Sequence, residues 1–308
     1  MKLANTFVHD AYAEAFRMRY ARLIITAMDQ FWLDAAVREV TGYAASVIAC
    51  DVEAGLDRYL PPQDTPDGRP GAVVLFFGFS AESLARSVPT RVGQCVMTCP
   101  TTAVYNGLPV SEERIPLGNH LRYFGDGHQR SKLIGDRRYW RIPVMDGEFL
   151  VEAIAGVGKG VGGGSLIVQA ATQMAALAAS RRAASAIDLL DGVIAPFPGG
   201  VVRSGSKVGS RYRGLRASTN EAWCPTLRGR YPSELDPDAN CAYELVFDGI
   251  DEQIIGRAMA DAARAASGPE TLSVSAANFG GNLGKFKFDL REMLDRYPAA
   301  ACAAPITT

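Results

Sequence analysis

The order of its segments predicts that this 308-residue chain is an α+β protein made of two similar lobes. Each half contains the same succession of strand-like and helix-like segments, strand, helix, strand, strand, helix, strand, and the apolar runs that anchor the two halves are alike. This succession is the split βαβ, or ferredoxin-like, plan, and its repetition indicates an internal duplication. We expect an N-terminal lobe at 1–145, a C-terminal lobe at 146–297 and a flexible tail at 298–308.

The first half supplies one full set of elements. Strands are predicted at residues 7–10, 23–27, 47–50, 72–77 and 139–144, because apolar and β-branched residues cluster there. Asp29 is a candidate N-cap for a helix that ends near Thr41, with Gly42 as its stop. A second helix is predicted from Ser80 to the residue before Pro89, because proline disfavours a helix interior.

The second half repeats these segments in the same order. Strands are expected at residues 149–152, 166–170, 193–195, 243–249, 271–276 and 285–290, and the two helices carry Ile187 and Ile255. The strand at 149–152 matches 7–10, and the strand at 193–195 matches 47–49. Five matched elements in one order favour duplication over chance. Aligning Gly249 with Gly78 places Glu244 opposite Val73.

Glu244 is an ionisable residue in the middle of the apolar strand Cys241–Gly249. Alternation along the strand places it between Ala242 and Val246, on the face away from the larger apolar side chains. Desolvation there would raise the pKa of the carboxyl, so that it could donate a proton near neutral pH. A solvent-facing strand is the alternative reading. The valine at the aligned position, Val73, favours a functional carboxyl, because the equivalent position in the first half is apolar.

The composition excludes several classes of function. Hydrophobic residues make up 48% of the chain and charged residues 21%, and the formal net charge is −1, so nothing attracts the whole protein to nucleic acid or anionic membranes. The N-terminus lacks the apolar core of a signal peptide, and no run reaches the roughly 18 apolar residues of a membrane span. We therefore expect a cytoplasmic protein.

The cysteines and histidines do not form a recognisable metal or redox motif. The six cysteines are read as reduced thiols, since the spacing of Cys95 and Cys99 fits neither a CxxC motif nor a zinc site. None of the three histidines is spaced with a second ligand, so we expect no bound metal and no His-based triad. Cys224 and Cys95 are considered as acyl-carrying nucleophiles, but neither has a histidine nearby in sequence, and buried structural thiols are favoured.

Two glycine-rich segments are candidate binding loops. Residues 156–164 superficially resemble a phosphate loop, but they lack its spacing and precede a strand, which favours a flexible connector or a surface of close approach. Residues 195–200 combine two prolines with two glycines around Phe197, which suits a rigid ligand wall as well as it suits an ordinary tight turn.

Long polar segments at 206–210 and 218–225 come just before the Glu244 strand. Long loops without regular structure often carry function. Lys207, Arg211 and Arg213 could bind an anionic substrate tail, although a basic cluster is more often a solvated surface.

At these segments the chain resembles the formylmethanofuran:tetrahydromethanopterin formyltransferase family over nearly its whole length. The runs that carry the resemblance are TPDGRPG (65–71), GQCVMTCPT (93–101), FGDG (124–127), GEFLVE (147–152), APFPGG (195–200), SKVGS (206–210), STNEAWCPT (218–226), YELVFDG (243–249) and NFGGNLG (278–284). The resemblance implies two ferredoxin-like lobes, a homotetramer with its substrate cleft at subunit contacts, and neither a metal nor a bound prosthetic group.

The resemblance also implies an activity. It is transfer of a formyl group between a methanofuran-type amine and a ring nitrogen of tetrahydromethanopterin, which act as cosubstrates. The catalytic glutamate of the family falls on Glu244, where a neutral carboxyl could stabilise the oxyanion or supply a proton. Substrate contacts are expected at residues of the shared motifs: Phe124, Asp126, Phe197, Gly199, Gly200, Lys207, Ser218, Thr219 and Asn220.

The near-neutral charge and the Ala/Pro-rich end of the chain depart from the strongly acidic archaeal pattern and resemble the bacterial, methylotrophic branch. That branch implies a subunit of a formyltransferase/hydrolase complex in one-carbon metabolism. There the formyl group passes to the furan carrier, and a partner subunit hydrolyses it to formate. Two alternatives stay open: a non-catalytic scaffold subunit, and a thiol-dependent acyltransferase that uses Cys224 or Cys95.

Overall fold

A computed structural model describes residues 1–299 of the chain and confirms the predicted two-lobe α+β fold. The part of the predicted tail from residue 300 onward lies outside the described residues. The strands are β1 Lys2–Leu3, β2 Thr6–Val8, β3 Tyr12–Thr26, β4 Glu53–Leu60, β5 Gly71–Gly78, β6 Ala103–Asn106, β7 Arg114–Ile115, β8 Arg130–Ile134, β9 Arg137–Val144, β10 Gly147–Glu152, β11 Ala155–Gly156, β12 Gly158–Ala170, β13 Val193–Ile194, β14 Lys207–Val208, β15 Ala217–Ser218, β16 Cys241–Gly249, β17 Ser273–Ser275 and β18 Phe286–Asp289. The α-helices are α1 Gln30–Thr41, α2 Ala81–Arg91, α3 Leu117–Leu121, α4 Gln173–Asp188, α5 Glu252–Ala266 and α6 Leu290–Arg296.

The strand register confirms the internal duplication. In the first lobe Ile24 of β3 lies between Val73 of β5 and Tyr105 of β6. In the second lobe Ile167 of β12 lies between Glu244 of β16 and Ser275 of β17. Glu244 therefore occupies the position that Val73 holds in the first lobe, as the sequence alignment predicts.

The two lobes are joined through the middle of β3 and the first part of β12. Residues 16–20 of β3 pair antiparallel with residues 158–162 of β12, so one continuous sheet runs through both lobes. The glycine-rich segment is thus part of a strand and not a connector. Its glycines make room for large neighbours, since a Cβ on Gly162 would collide with Met18 and one on Gly164 with Phe247. Of the two alternatives for this segment, the structure supports a surface where neighbouring side chains approach the backbone closely.

The first strand of each half completes the sheet of the other half. Strand β2 pairs parallel with β17, and β10 pairs parallel with β6. The register places Phe7 opposite Ser273 and Leu150 opposite Ala103, so the sequence match of 149–152 to 7–10 is wrong by one residue. The predicted division of the chain at residue 146 stays a prediction.

One face of each lobe is covered by helices, and the other face carries no helix. Helices α1 and α2 cover the first lobe, and α4 and α5 cover the second, where Leu245 and Phe247 are fully buried against them. Asp29 caps α1 by accepting from the Trp32 N–H, which confirms the predicted start. Within residues 1–299, no helix combines the length and apolar character needed to cross a membrane.

Two local predictions are wrong. Residues 47–50 form a turn, closed by the Cys50 N–H donating to the Ser46 carbonyl at 2.7 Å, and the strand begins later, at Glu53. The turn is favoured because the Val47 N–H also donates to the Glu53 carboxylate at 2.9 Å. Helix α2 continues through Pro89 to Arg91 and then into a short π-helical turn.

Candidate active site

Glu244 lies on the helix-free face of the second lobe, with its backbone fixed on both sides. On one side it is paired with Ile167 of β12. On the other side its carbonyl accepts from the Val202 N–H at 2.7 Å, and its own N–H donates to the Val202 carbonyl at 3.2 Å. The position of the carboxyl is therefore set by three adjacent backbone segments.

The side chain faces a small cleft, which we call the Glu244 cleft. Its volume is about 50 Å³. The lining residues come from β12, from β16 and from the long segment that follows residue 201: Ile167, Val202, Arg203, Ser204, Gly205, Asn220, Trp223, Cys224, Ala242, Tyr243 and Glu244. The cleft combines one carboxyl, one guanidinium and one indole, a set that can orient and react with a polar planar ligand.

The Glu244 carboxyl has no hydrogen-bond or ion-pair partner among residues 1–299. Burial is the cause that raises its pKa, to about 7. Because the charged form is poorly solvated and no cation compensates it, protonated and ionised forms coexist near neutral pH. Such a carboxyl can both donate and accept a proton under the same conditions.

Among the predicted substrate-contact residues, Asn220 lines the cleft directly. Residues 195–200 run along the edge of β16 between Ile194, which pairs with Asp248, and Val202, which pairs with Glu244. Gly199 and Gly200 both have positive φ, at 62° and 74°. A Cβ on Gly200 would reach 2.9 Å from the Ala184 side chain, so this segment also packs tightly on α4.

Lys207 and Ser218 lie in a two-stranded ribbon formed by β14 and β15. The Lys207 ammonium forms an ion pair with Glu221, which occupies its charge. The Ser218 hydroxyl donates to the Gly209 carbonyl at 2.7 Å. Thr219 is exposed beside this ribbon. Their substrate contacts stay a prediction, and in this structure Lys207 and Ser218 hold the ribbon together.

Phe124 and Asp126 are placed in the first lobe, in a short 3₁₀ segment before β8, and neither lines the Glu244 cleft. Phe124 is 66% exposed. Asp126 ends the segment with a positive φ of 49°. Their substrate contacts also stay a prediction.

The cysteines differ in their relation to the cleft. Cys224 is on its wall and donates to the Asn220 carbonyl at 3.2 Å, whereas Cys95 packs against the first-lobe core. Burial, and next the Glu221 carboxylate, raise the pKa of the Cys224 thiol. Burial also raises the pKa of Cys95. Both shifts reduce the reactive thiolate. Residues 1–299 contain no group of three or more His, Cys, Asp or Glu side chains arranged to hold a metal ion.

Sequence reasoning missed several polar residues around this face. Arg203 and Trp223 line the cleft; Trp223 lies within the shared motif at 218–226, whereas Arg203 lies in none of the shared motifs. Glu14 was also missed. Its buried carboxylate accepts backbone N–H groups of Phe279, and of Gly281, Leu283 and Gly284 at 2.8, 3.0 and 2.9 Å. Burial opposes the ionised form, but these bonds lower the pKa of Glu14 overall and hold the loop at 278–284 in place.

Glu53 and Asp248 form a pair that the sequence did not predict, at the contact between the lobes. Both are buried, and their carboxyls contact each other. Burial, and then the neighbouring Glu53, raise the pKa of Asp248 well above its usual value, and burial raises that of Glu53. The second oxygen of Asp248, Oδ2, has no donor among the described protein groups, and a proton held between the two carboxyls would supply one.

Comparison with known proteins identifies relatives along nearly the whole chain. The family model described as formylmethanofuran-tetrahydromethanopterin formyltransferase matches residues 1–144, and the model of its proximal lobe matches residues 147–293. A formylmethanofuran--tetrahydromethanopterin formyltransferase of Methylococcus capsulatus is 50% identical over 96% of this chain and 100% of its own length. The enzyme of that name from Methanocaldococcus jannaschii is 42% identical, also over 96% of this chain and 100% of its own length.

Two solved structures share the fold. The formylmethanofuran:tetrahydromethanopterin formyltransferase of Methanosarcina barkeri superimposes with a TM-score of 0.90 at 42% identity, covering 95% of this chain and all of that one. A chain of the formyltransferase/hydrolase complex of Methylorubrum extorquens, solved with methylofuran, gives a TM-score of 0.89 at 43% identity, covering 93% of this chain and 96% of that one.

Proposed function

The chain belongs to the formylmethanofuran–tetrahydromethanopterin formyltransferase family, and we propose on that premise that Glu244 is the acid–base group of its formyl transfer. The reaction moves a formyl group between tetrahydromethanopterin and the amine of a methanofuran-type carrier. The observation that carries the assignment is the carboxyl itself, which lies in a cleft, has no protein partner among residues 1–299 and has a pKa raised by burial to about 7.

The proposed chemistry needs no covalent enzyme intermediate. The acceptor nitrogen attacks the formyl carbon, a C–N bond forms, and the carbonyl oxygen becomes an oxyanion. Protonated Glu244 donates a hydrogen bond to this oxyanion. Glu244 then transfers its proton to the leaving nitrogen, the old C–N bond breaks as the carbonyl reforms, and the resulting Glu244 carboxylate accepts the proton that the attacking nitrogen loses. A carboxyl with a pKa near neutral suits both proton steps, so the net reaction consumes no proton.

The size of the cleft bears on the assembly. A volume of about 50 Å³ accommodates reacting groups only, whereas sites for whole ligands of this kind typically occupy roughly 300 to 1,000 Å³. We therefore propose that the remainder of each carrier lies across a neighbouring subunit in a homotetramer. The similarity to a chain of the formyltransferase/hydrolase complex supports hydrolase subunits as further partners. Transfer toward the furan carrier is part of the same proposal. A cytoplasmic location, expected for a protein of free thiols, belongs to the same proposal.

The test compares the wild type with Glu244→Gln in transfer between the two carriers. We expect turnover to fall by about a hundredfold or more, because the variant cannot exchange a proton. The wild-type rate should fall as pH rises through about 7, where the donor form is lost, and Gln should abolish this inflection. Glu270→Gln, an exposed change outside the cleft, is the matched control. Equal turnover and equal assembly of the wild type and Glu244→Gln would refute the assignment and favour a scaffold role or thiol chemistry.

A further inference from the structure

Arg203 is the one cleft residue with a permanent charge among the described lining residues. It follows directly after Val202, whose backbone pairs with Glu244, so its position relative to the carboxyl is fixed by two hydrogen bonds. The side chain is exposed, and within residues 1–299 its guanidinium has no hydrogen-bond or ion-pair partner. Five N–H donors are therefore available at the mouth of the cleft.

The charge of Arg203 is not used by Glu244. A guanidinium in close contact would lower the pKa of that carboxyl, but burial is the one cause that acts on it, and it acts in the opposite direction. The cleft thus separates the exposed guanidinium of Arg203 from the buried carboxyl of Glu244. That separation suits a ligand whose anionic group is distant from its reacting nitrogen.

Of the three cations that the sequence predicts as anion-binding groups, two are engaged by protein partners, and the third, Arg213, is exposed and is not among the residues that line the cleft. Lys207 is paired with Glu221, and the Arg211 guanidinium donates to the Tyr231 hydroxyl at 2.7 Å. Neither lines the cleft. The sequence pointed to these residues as anion-binding groups, whereas the geometry leaves Arg203 as the cation that a cleft ligand would meet.

We propose that Arg203 is an anion subsite of the Glu244 cleft, which binds a carboxylate or phosphate of one carrier and thereby positions its reacting nitrogen at Glu244. This inference rests on the proposed function. A planar guanidinium binds such oxyanions through two parallel hydrogen bonds, which fix direction as well as distance. The subsite acts in the bound complex before the chemical step and therefore affects KM more than kcat.

The experiment measures kcat and KM for each carrier with the assembled wild type, Arg203→Gln and Arg203→Lys. Each carrier is compared with an analogue that keeps its reacting ring but has no carboxylate or phosphate. We expect Arg203→Gln to raise KM for one intact carrier by about tenfold or more, the scale of one lost charge-assisted contact, with kcat little changed. Arg203→Lys should recover part of the affinity, because the charge stays and the paired geometry is lost. The truncated analogue of that carrier should show the same KM with all three proteins.

The carrier whose KM changes identifies the source of the anionic group. Arg181→Gln, an equal change of charge on α4 at the helix-covered face, is the matched control and should leave both KM values unchanged. The proposal is overturned if Arg203→Gln changes neither KM, or if it raises KM equally for the intact and truncated carriers. The proposal is also overturned if Arg203→Gln lowers kcat and shifts the pH dependence of kcat. Arg203 would then act on the pKa of Glu244 and not on the anionic group of a carrier. Absence of wild-type transfer with intact carriers would instead refute the proposed function.

Discussion

The helix-free face is sealed in the first lobe and open in the second, although the two lobes share one strand register. In the first lobe Asp67 covers the face and accepts from Thr26 at 2.8 Å, Arg69 at 2.8 Å and Tyr105 at 3.0 Å. In the second lobe the residue equivalent to Tyr105 is Ser275. A large ring that forms part of the cover in the first lobe is thus replaced by a small side chain in the second.

The difference extends to hydrogen bonding. Thr26 is satisfied by Asp67 and Arg69, whereas its counterpart Gln169 has a buried side-chain nitrogen without a partner among the described groups. The buried hydroxyl of Ser273, next to Gln169 in the register, also has none. At these positions the first lobe satisfies its polar groups, while the second keeps the Gln169 nitrogen and the Ser273 hydroxyl unpaired on the face that carries the cleft. This is the pattern of a duplicated fold in which one copy bears the site.

Exchanging the aligned residues is the strongest test of this comparison. Val73→Glu should lower the free energy of unfolding by about 3 kcal/mol, because it introduces a carboxyl into a sealed and nearly fully buried position. Arg58, opposite Val73 in the register, cannot compensate fully because Asp57 and Asp191 already engage it. The reverse change, Glu244→Val, should abolish transfer but leave stability unchanged or higher by about 1 kcal/mol. Denaturant unfolding measures both.

Val73→Ile is the control for the first-lobe change, since it alters shape without adding charge. If Val73→Glu unfolds at the same denaturant concentration as this control, the first-lobe face is solvated and the contrast between the lobes is wrong. If Glu244→Val is strongly destabilised, Glu244 has a structural role in the strand beyond its proposed chemistry.

The two buried carboxyls at the contact between the lobes, Glu53 and Asp248, are a second departure from the internal symmetry. In the first lobe Glu53 lies opposite Phe77, and in the second Ile194 lies opposite Asp248, so each carboxyl occupies a position that is apolar in the other copy. The pKa values of both carboxyls are raised, by burial first. The folded protein therefore keeps a proton that the unfolded chain releases above about pH 4. This stabilising contribution is complete below that pH and is lost as pH rises through the folded pKa.

We expect Asp248→Asn to remove this pH dependence. The difference in unfolding free energy between wild type and variant should change with pH above about 4, by up to about 1.4 kcal/mol per pH unit for one proton. The comparison of wild type with Asp248→Asn is needed because Glu14 and Asp67 have lowered pKa values. Their contributions to the pH dependence of the unfolding free energy have the opposite sign and cancel in this comparison. Glu53→Gln should have a similar effect, and the double variant should add little, since the two carboxyls share one proton. Additive single effects would contradict the shared proton.

The sequence predicted the repeated plan and the place of Glu244 because both depend on local patterns. Apolar alternation, the Asp29 cap and the glycine at the end of each matched strand are readable from neighbouring residues. The exchange of β2 and β10 between the lobes was not predictable in this way, because it depends on which sheet edge is available after each half has folded. The strand at 53–60 was missed for a related reason. The run at 47–50 is more apolar and was predicted as the strand, but it forms a turn that the Glu53 side chain stabilises.

The site was only partly readable from the sequence. Lys207 was selected as an anion-binding group because it lies in a basic, motif-like run, but its partner Glu221 is fourteen positions away and becomes adjacent through the β14–β15 ribbon. Arg203 was overlooked because a single arginine after an apolar pair carries no pattern. Its significance arises from the bridge between Val202 and Glu244, which joins segments about forty residues apart.

The smallest expected effect concerns the thiols, one on the open face and one in the sealed lobe. Cys224→Ser should change kcat by less than about twofold, because its raised pKa keeps the thiol protonated and the serine hydroxyl can still donate to Asn220. Cys95→Ser, a matched change far from the cleft, should behave alike in the transfer assay. A hundredfold loss for Cys224→Ser alone, with a formyl thioester detected on the wild type by mass spectrometry, would assign the chemistry to the thiol. Glu244 would then act as the base that activates it, because the two residues line one cleft, and the open lobe would still differ from the sealed one by the same carboxyl.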